Sequence, residues 1–245
     1  MSALFVQNLT QVKQHIPNAL TSLNLFLGCL SVVAALEGNL QLASIYIFSA
    51  AILDFFDGFV ARALHATSEM GKQLDSLADM VSFGLAPGLI FYMMAGKCFA
   101  PNGGFCINMY LPFLIVIFSA LRLAKFNIDI RQGDSFIGLP TPANALFIAS
   151  IPFILQYNPG IAQVFEHEYF LKYFPLLSAY LLTAELPLLA LKFKSFSWKG
   201  NEYRYILIIL CVAGIALFQF AGVALSMILY ILISILYNLQ TKKAI

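Results

Sequence analysis

Four aspartates, Asp54, Asp57, Asp75 and Asp79, stand within 26 residues of an otherwise strongly apolar chain. Asp54, Asp57, Gly58, Ala61 and Arg62 fall at i, i+3, i+4, i+7 and i+8, which is one face of a helix. Gly71, Asp75 and Asp79 follow at i, i+4 and i+8, again one face. The link "ALHATSEM" lets two such helices pack antiparallel, and Gly58, Ala61 and Gly71 permit close approach. The four carboxylates then converge at one end of the pair, with Asp54 and Asp79 deepest. Divalent cations remove the repulsion among them, and an all-oxygen shell suits hard ions, Mg²⁺ or Mn²⁺ first. Two such ions beside an Arg suit a pyrophosphate: they neutralise it and steady an attacking and a leaving oxygen. A single intramembrane Asp often caps a helix or pairs with Arg, but four on two facing stripes favour a metal site.

The elements that must position them are membrane helices. Of 245 residues, 60% are hydrophobic and 11% charged, and the mean hydropathy is +0.83. Soluble domains carry about 25% charged residues, so the chain reads as one integral membrane domain over residues 1–245. A net charge of +2 gives no reason to expect a nucleic-acid partner. Apolar runs fall at 19–36, 41–61, 76–95, 109–124, 143–156, 173–191, 205–220 and 222–239. A span needs about 20 apolar residues, with a range of about 17–25, so the expected fold is an all-α polytopic bundle of about eight transmembrane helices. Six spans with two re-entrant segments is the competing count. The catalytic core is expected over about 17–156, followed by C-terminal helices over about 170–240. The N-terminal stretch lacks the layout of a cleavable signal and reads as a short amphipathic helix on the bilayer surface, through Leu4, Phe5, Leu9, Val12 and Ile16.

Basic residues orient this bundle. With both termini cytoplasmic, twelve of the 14 Lys and Arg residues fall inside and only Lys97 and Lys172 outside. That puts the aspartates at the cytoplasmic side. Cys98 and Cys106 flank an outside loop, "KCFAPNGGFC", where an oxidising compartment permits a disulfide. Cys29 and Cys211 read as small buried hydrophobes, and His65 as an interfacial polar residue.

Taken together, Asp54-Phe-Phe-Asp57-Gly58-Phe-Val-Ala61-Arg62, eight residues, then Gly71-Lys-Gln-Leu-Asp75-Ser-Leu-Ala-Asp79, matches the signature of the CDP-alcohol phosphatidyltransferase family. The resemblance implies a membrane enzyme that moves a phosphatidyl or related group from a CDP-linked donor to an alcohol and releases CMP. It implies that Asp54, Asp57, Asp75 and Asp79 hold two divalent cations and that Asp79 is also the general base. It assigns Gly58, Ala61, Arg62, Ser68 and Gly71 to the CDP-diacylglycerol site, Arg62 holding the phosphates. It also implies a homodimer in a bacterial inner membrane.

Three further stretches, "DSLADMVSFGLAPG", "SALRLAKFN" and "FIGLPTPANA", resemble the serine-accepting branch of that family, so L-serine is the expected acceptor. "PNALTSLNLFLG" resembles its first-helix start, and "ELPLLALKFKSFSW" is also familiar. Arg122 is the candidate for the serine carboxylate, since a guanidinium offers a planar fork to two oxygens, and Asn127 is a second candidate. Arg122, Lys125 and Lys192 are equally compatible with anchors at the membrane interface. Glycerol 3-phosphate or inositol phosphate is the alternative acceptor. An ion or metal transporter is the alternative class, opposed by the absence of a polar trail beyond the one mouth.

Overall fold

In the computed structural model the described residues are 3–129, 135–189 and 197–243, with side chains described over 15–129, 137–189 and 197–240. The basic residues Arg131, Lys192 and Lys194, and the side chains of Lys13, Lys242 and Lys243, therefore lie outside the described residues.

Helices dominate: α1 (Ala3–Leu36), α2 (Leu40–Ala63), α3 (Glu69–Asp79), α4 (Ala86–Phe99), α5 (Phe113–Ile128), α6 (Thr141–Tyr157), α7 (Pro159–Glu166), α8 (Glu168–Thr183), α9 (Glu202–Phe218) and α10 (Phe220–Lys243). Five stretches are long and apolar enough to cross a membrane among the described residues: His15–Leu36, Leu40–Ala63, Glu69–Phe99, Ile107–Ile128 and Phe220–Gln240. Large apolar side chains such as Phe55, Leu121, Val212 and Leu217 face outward, as lipid-facing residues do. The chain is a membrane protein.

One expectation needs correction, and two observations refine the expected helical bundle. The segment ahead of Pro17 is helical, but it runs without a break into the first span, so it forms no separate short helix. Two three-residue strands, β1 (Ser135–Ile137) and β2 (Pro187–Leu189), pair antiparallel and interrupt an otherwise helical fold. Five of the eight expected spans meet the length requirement. The apolar helices α6, α8 and α9 have 17, 16 and 17 residues, at or just below the lower edge of the spanning range.

Local chemistry explains the ends of the helix pair that carries the aspartates. Gly38 takes a positive φ of 81° in the turn after α1, and Asn39 caps α2 by accepting the Leu42 N–H at 3.1 Å. At the other end of α2, Ala66 N–H reaches Ala61 O and His65 N–H reaches Arg62 O, a Schellman closure with His65 at φ 49°. His65 thus turns the chain, a backbone role rather than only an interfacial one. Ser68 then caps α3 by accepting from Gly71 N–H at 3.0 Å.

Between α3 and α4 the helix widens into a π-helical turn, Met80–Leu85, immediately after Asp79. Such turns occur often at functional sites. Packing holds this one open. A Cβ on Gly28 of α1 would collide with the Ser82 side chain and meet its backbone at 3.0 Å, and one on Gly84 would sit 3.1 Å from Ser119 Cβ of α5. The Ser82 hydroxyl donates to Asn24 O at 3.0 Å. Helix α6, the shortest expected span, is the most enclosed, with Ala145, Ile148, Ala149, Ile151 and Ile154 in the core. Phe174 of α8 stacks on Phe91 of α4 and Phe147 of α6 at 5.3 and 5.0 Å between centroids. The last helix is tied in through Ser234, whose hydroxyl accepts the Leu189 N–H at 3.1 Å.

Candidate active site

Carboxylates that the sequence spaces on two helices meet in space. Asp54, Asp57 and Asp75 each offer an oxygen within 4.8 Å of the others. Asp54 is central, in side-chain contact with both Asp75 and Asp79. Asp79 lies outside the close trio and is buried, with Oδ1 lacking a partner among the described residues. Three carboxylates this close, with a fourth in contact, fit a divalent cation with oxygen ligands, and without one they repel. Arg62 lies within electrostatic reach of Asp57.

Directly above the trio is a cleft of about 560 Å³, within the usual range for ligand sites. Asp57 and Asp75 line it, as do Gly58, Ala61, Arg62, Ser68 and Gly71. The five residues expected at the donor site therefore share one wall system with two of the metal candidates. Ser68 does so while also capping α3. Gly71 has little room to change, since a Cβ there would be 3.1 Å from both Asn18 Oδ1 and Ser68 Oγ.

The opposite wall belongs to α1 and holds residues that the spacing argument did not assign. Pro17, Asn18 and Thr21 line the cleft. The Thr21 hydroxyl is 2.7 Å from Asp57 Oδ2 and 3.1 Å from Pro17 O. Its single proton serves one acceptor at a time, and the shorter distance favours the carboxylate. One turn deeper, Asn24 is fully buried, with neither side-chain polar atom partnered among the described residues. The available signal was the recurrence of polar side chains at 18, 21 and 24 in an apolar span, which is costly unless used. Lys72 also lines the cleft and donates to Asn127 O at 3.1 Å, joining α3 to α5.

The two acceptor candidates separate. Arg122 is 8% exposed, donates from Nη1 to Thr141 Oγ1 at 2.9 Å, and stands within electrostatic reach of Asp79 and Tyr230. It faces the interior, not the bilayer interface. Asn127 points elsewhere: its Nδ2 donates to Ser76 Oγ at 2.9 Å, although Oδ1 has no partner among the described residues. Lys125 pairs with Glu185 at 3.3 Å where both are solvent-exposed, a contact worth little to stability. The four cysteines, Cys98 and Cys106 included, are free thiols.

Comparison with known proteins gives this geometry its context. The family model for CDP-alcohol phosphatidyltransferase matches residues 14–190. A Helicobacter pylori (strain ATCC 700392 / 26695) protein is 33% identical over 239 residues, covering 93% of this chain and 96% of that protein.

The chain belongs to the CDP-alcohol phosphatidyltransferase family.

The Helicobacter relative is named CDP-diacylglycerol–serine O-phosphatidyltransferase. A Bacillus subtilis (strain 168) protein of the same name is 39% identical over 145 residues, which is 59% of this chain and 78% of that protein. An archaetidylserine synthase of Methanothermobacter thermautotrophicus is 36% identical over 140 residues, 55% of this chain and 56% of that protein. The family match encloses the four aspartates, the donor-cleft residues, Arg122 and Asn127, and it ends before α9. Helices α9 and α10 therefore flank the family core, although Tyr230 of α10 reaches the Arg122 guanidinium.

Proposed function

We propose that the chain is a phosphatidylserine synthase, transferring the phosphatidyl group of CDP-diacylglycerol to the hydroxyl of L-serine and releasing CMP. The observation that carries the chemistry is the carboxylate trio, two of whose members, Asp57 and Asp75, line the 560 Å³ cleft. The near full-length likeness to a relative named for serine supports the acceptor.

Asp54, Asp57 and Asp75 hold two divalent cations, Mg²⁺ or Mn²⁺, with Asp79 contributing to the second. When bound, such ions neutralise the pyrophosphate and stabilise the charge on the leaving CMP. Arg62 binds the donor phosphates. Gly58, Ala61 and Gly71 leave room for the nucleotide, and the Ser68 hydroxyl faces the same cleft. Thr21 orients Asp57 through its 2.7 Å hydrogen bond. Asp79 Oδ1 takes the proton from the serine hydroxyl as that oxygen bonds to the phosphorus carrying the diacylglycerol. The bond between this phosphorus and the bridging pyrophosphate oxygen breaks, and the electron pair leaves with CMP. Arg122 holds the serine carboxylate, with Asn127 at the rim of the acceptor site.

The deciding experiment offers purified protein CDP-diacylglycerol with serine, glycerol 3-phosphate or inositol phosphate and measures CMP. Serine is expected to support release at least about 100-fold faster than either phosphate, the discrimination that a site built for specific polar groups reaches or exceeds. Preference for a phosphorylated alcohol overturns the acceptor.

In the membrane we place both termini and the site on the cytoplasmic side of a bacterial inner membrane, with α6, α8 and α9 completing eight spans. The twelve-to-two basic asymmetry supports this. Cys106, in the loop before α5, is then expected to react with a membrane-impermeant maleimide from outside intact cells in a variant keeping only that cysteine. Labelling only after lysis reverses the orientation. The protein is proposed to act as a homodimer, which light scattering in detergent checks: a monomer mass rejects it.

A further inference from the structure

Behind Asp79 the bundle interior is unexpectedly polar. Arg122 on α5 and Thr141 at the start of α6 are joined at 2.9 Å. One turn back along α5 stands Ser119, and one turn on along α6 stands Asn144, each at three-residue spacing on the same face of its helix. Because α5 ends and α6 begins at the mouth, both steps lead about 4.5 Å deeper. Ser119 and Asn144 are fully buried, and Ser119 packs against the π-helical turn at Gly84.

Three donors in this group lack any partner among the described residues: Arg122 Nε, Ser119 Oγ and Asn144 Nδ2. Asn144 Oδ1 is already engaged, accepting from Ser178 Oγ of α8 at 2.9 Å, which leaves the Nδ2 donor over. The unsatisfied group nearest them in charge is an acceptor, Asp79 Oδ1, within electrostatic reach of the Arg122 guanidinium. Buried polar atoms are satisfied in more than about 90% of cases, and each one left bare costs about 1–3 kcal/mol. Three bare donors on neighbouring turns of α5 and α6, with one bare acceptor within electrostatic reach of Arg122, are the complement of a bound anion that also brings a proton donor.

We propose that Ser119 and Asn144 complete, with Arg122, a donor wall that receives the carboxylate of an amino-acid acceptor and thereby aims its hydroxyl at Asp79. This rests on serine being the acceptor. Ser119 and Asn144 are positioning residues: they hold one end of the acceptor, while the reacting atoms meet Asp79 at the other. Ser178 engages the Asn144 amide through Oδ1, leaving its N–H₂ to the acceptor. The wall selects a carboxylate rather than a phosphate because only one of its three donors carries a charge.

The test compares serine with serinol, which keeps the hydroxyl and ammonium of serine but replaces the carboxylate by a second hydroxymethyl group. Ser119→Ala and Asn144→Leu are assayed for CMP release with each acceptor. A hydrogen bond to a charged group, once lost, lowers affinity by about tenfold or more, so the serine KM is expected to rise by about that factor in each variant. The CDP-diacylglycerol KM and the serinol rate are expected to stay within about twofold, since neither involves the wall. Ser119→Ala removes only an oxygen that has no partner, so it tests the wall even if Asn144→Leu fails to fold. An unchanged serine KM in Ser119→Ala, or equal losses with serine and serinol, overturns the proposal. If wild-type protein itself prefers a phosphorylated alcohol, the acceptor reading fails first, and the two failures are told apart.

Discussion

Asp79→Asn is expected to reduce CMP release by about 10²–10⁴-fold, the usual cost of removing a general base, while leaving CDP-diacylglycerol binding measurable. The substitution keeps the shape of the side chain. Asp79 touches Asp54 but lies outside the trio of Asp54, Asp57 and Asp75. An amide at this position can donate to Asp54, so the donor site is retained. What it cannot do is accept the hydroxyl proton. The measurement pairs CMP release under saturating serine with thermal stabilisation by CDP-diacylglycerol. Near-normal turnover shows that the proton goes elsewhere, and the base assignment is lost. Loss of both turnover and donor-dependent stabilisation makes Asp79 chiefly a metal ligand instead.

The faces that carry the aspartates were readable from spacing alone because α2 and α3 are regular through every residue concerned. Asp79 is the last residue of α3, and the helix changes pitch only at Met80. Had the π-helical turn begun one turn earlier, the i, i+4, i+8 argument would have pointed Asp79 away from Asp75. That turn itself left no local trace in "MVSFGL". It exists because Gly28 and Gly84 admit Ser82 and Ser119, residues on three different elements. Tertiary packing of this kind is invisible to a periodicity reading of one helix.

The donor cleft was half legible. The wall built by α2 and α3 came from the motif, whereas Asn18 and Thr21 on α1 came into view only when Thr21 reached Asp57 across 36 residues of sequence. The β1–β2 ribbon was missed for a simpler reason: three residues per strand are too few to display alternation. Its site is nevertheless constrained, since Gly138, beside β1, has φ 77° and lies so close to Leu182 O that a Cβ would come within 2.7 Å. Arg122 illustrates the reverse case. From sequence it suited an interface anchor as well as a site residue, and burial at 8% exposure with a Thr141 contact speaks against the anchor.

Removing a carboxylate from the centre of the cluster is expected to move stability in opposite directions with and without metal. Asp54 contacts Asp75 and Asp79 and belongs to the trio, so it feels all three of the other carboxylates. In EDTA the four carboxylates repel, and Asp54→Asn relieves part of that repulsion. Its melting temperature is therefore expected to equal or exceed that of the wild type under chelation. With Mn²⁺ or Mg²⁺ added, the order reverses. An ion present at about 100 times its dissociation constant stabilises the wild type by about 2.7 kcal/mol, which is a shift of several degrees for a chain of this size at about 2–4 °C per kcal/mol. Asp54→Asn loses a central ligand and most of that shift. Asp57→Asn is expected to lose less, because its amide oxygen still accepts from Thr21 and keeps the first helix docked. Both variants are expected to bind CDP-diacylglycerol poorly, since the donor's pyrophosphate docks through the ions. A substitution that merely disturbed packing would lower the melting temperature in EDTA as well, and would leave the metal-dependent increment intact. That pattern in Asp54→Asn would remove the aspartate cluster as the metal site, and with it the chemical basis for transferring a phosphatidyl group here.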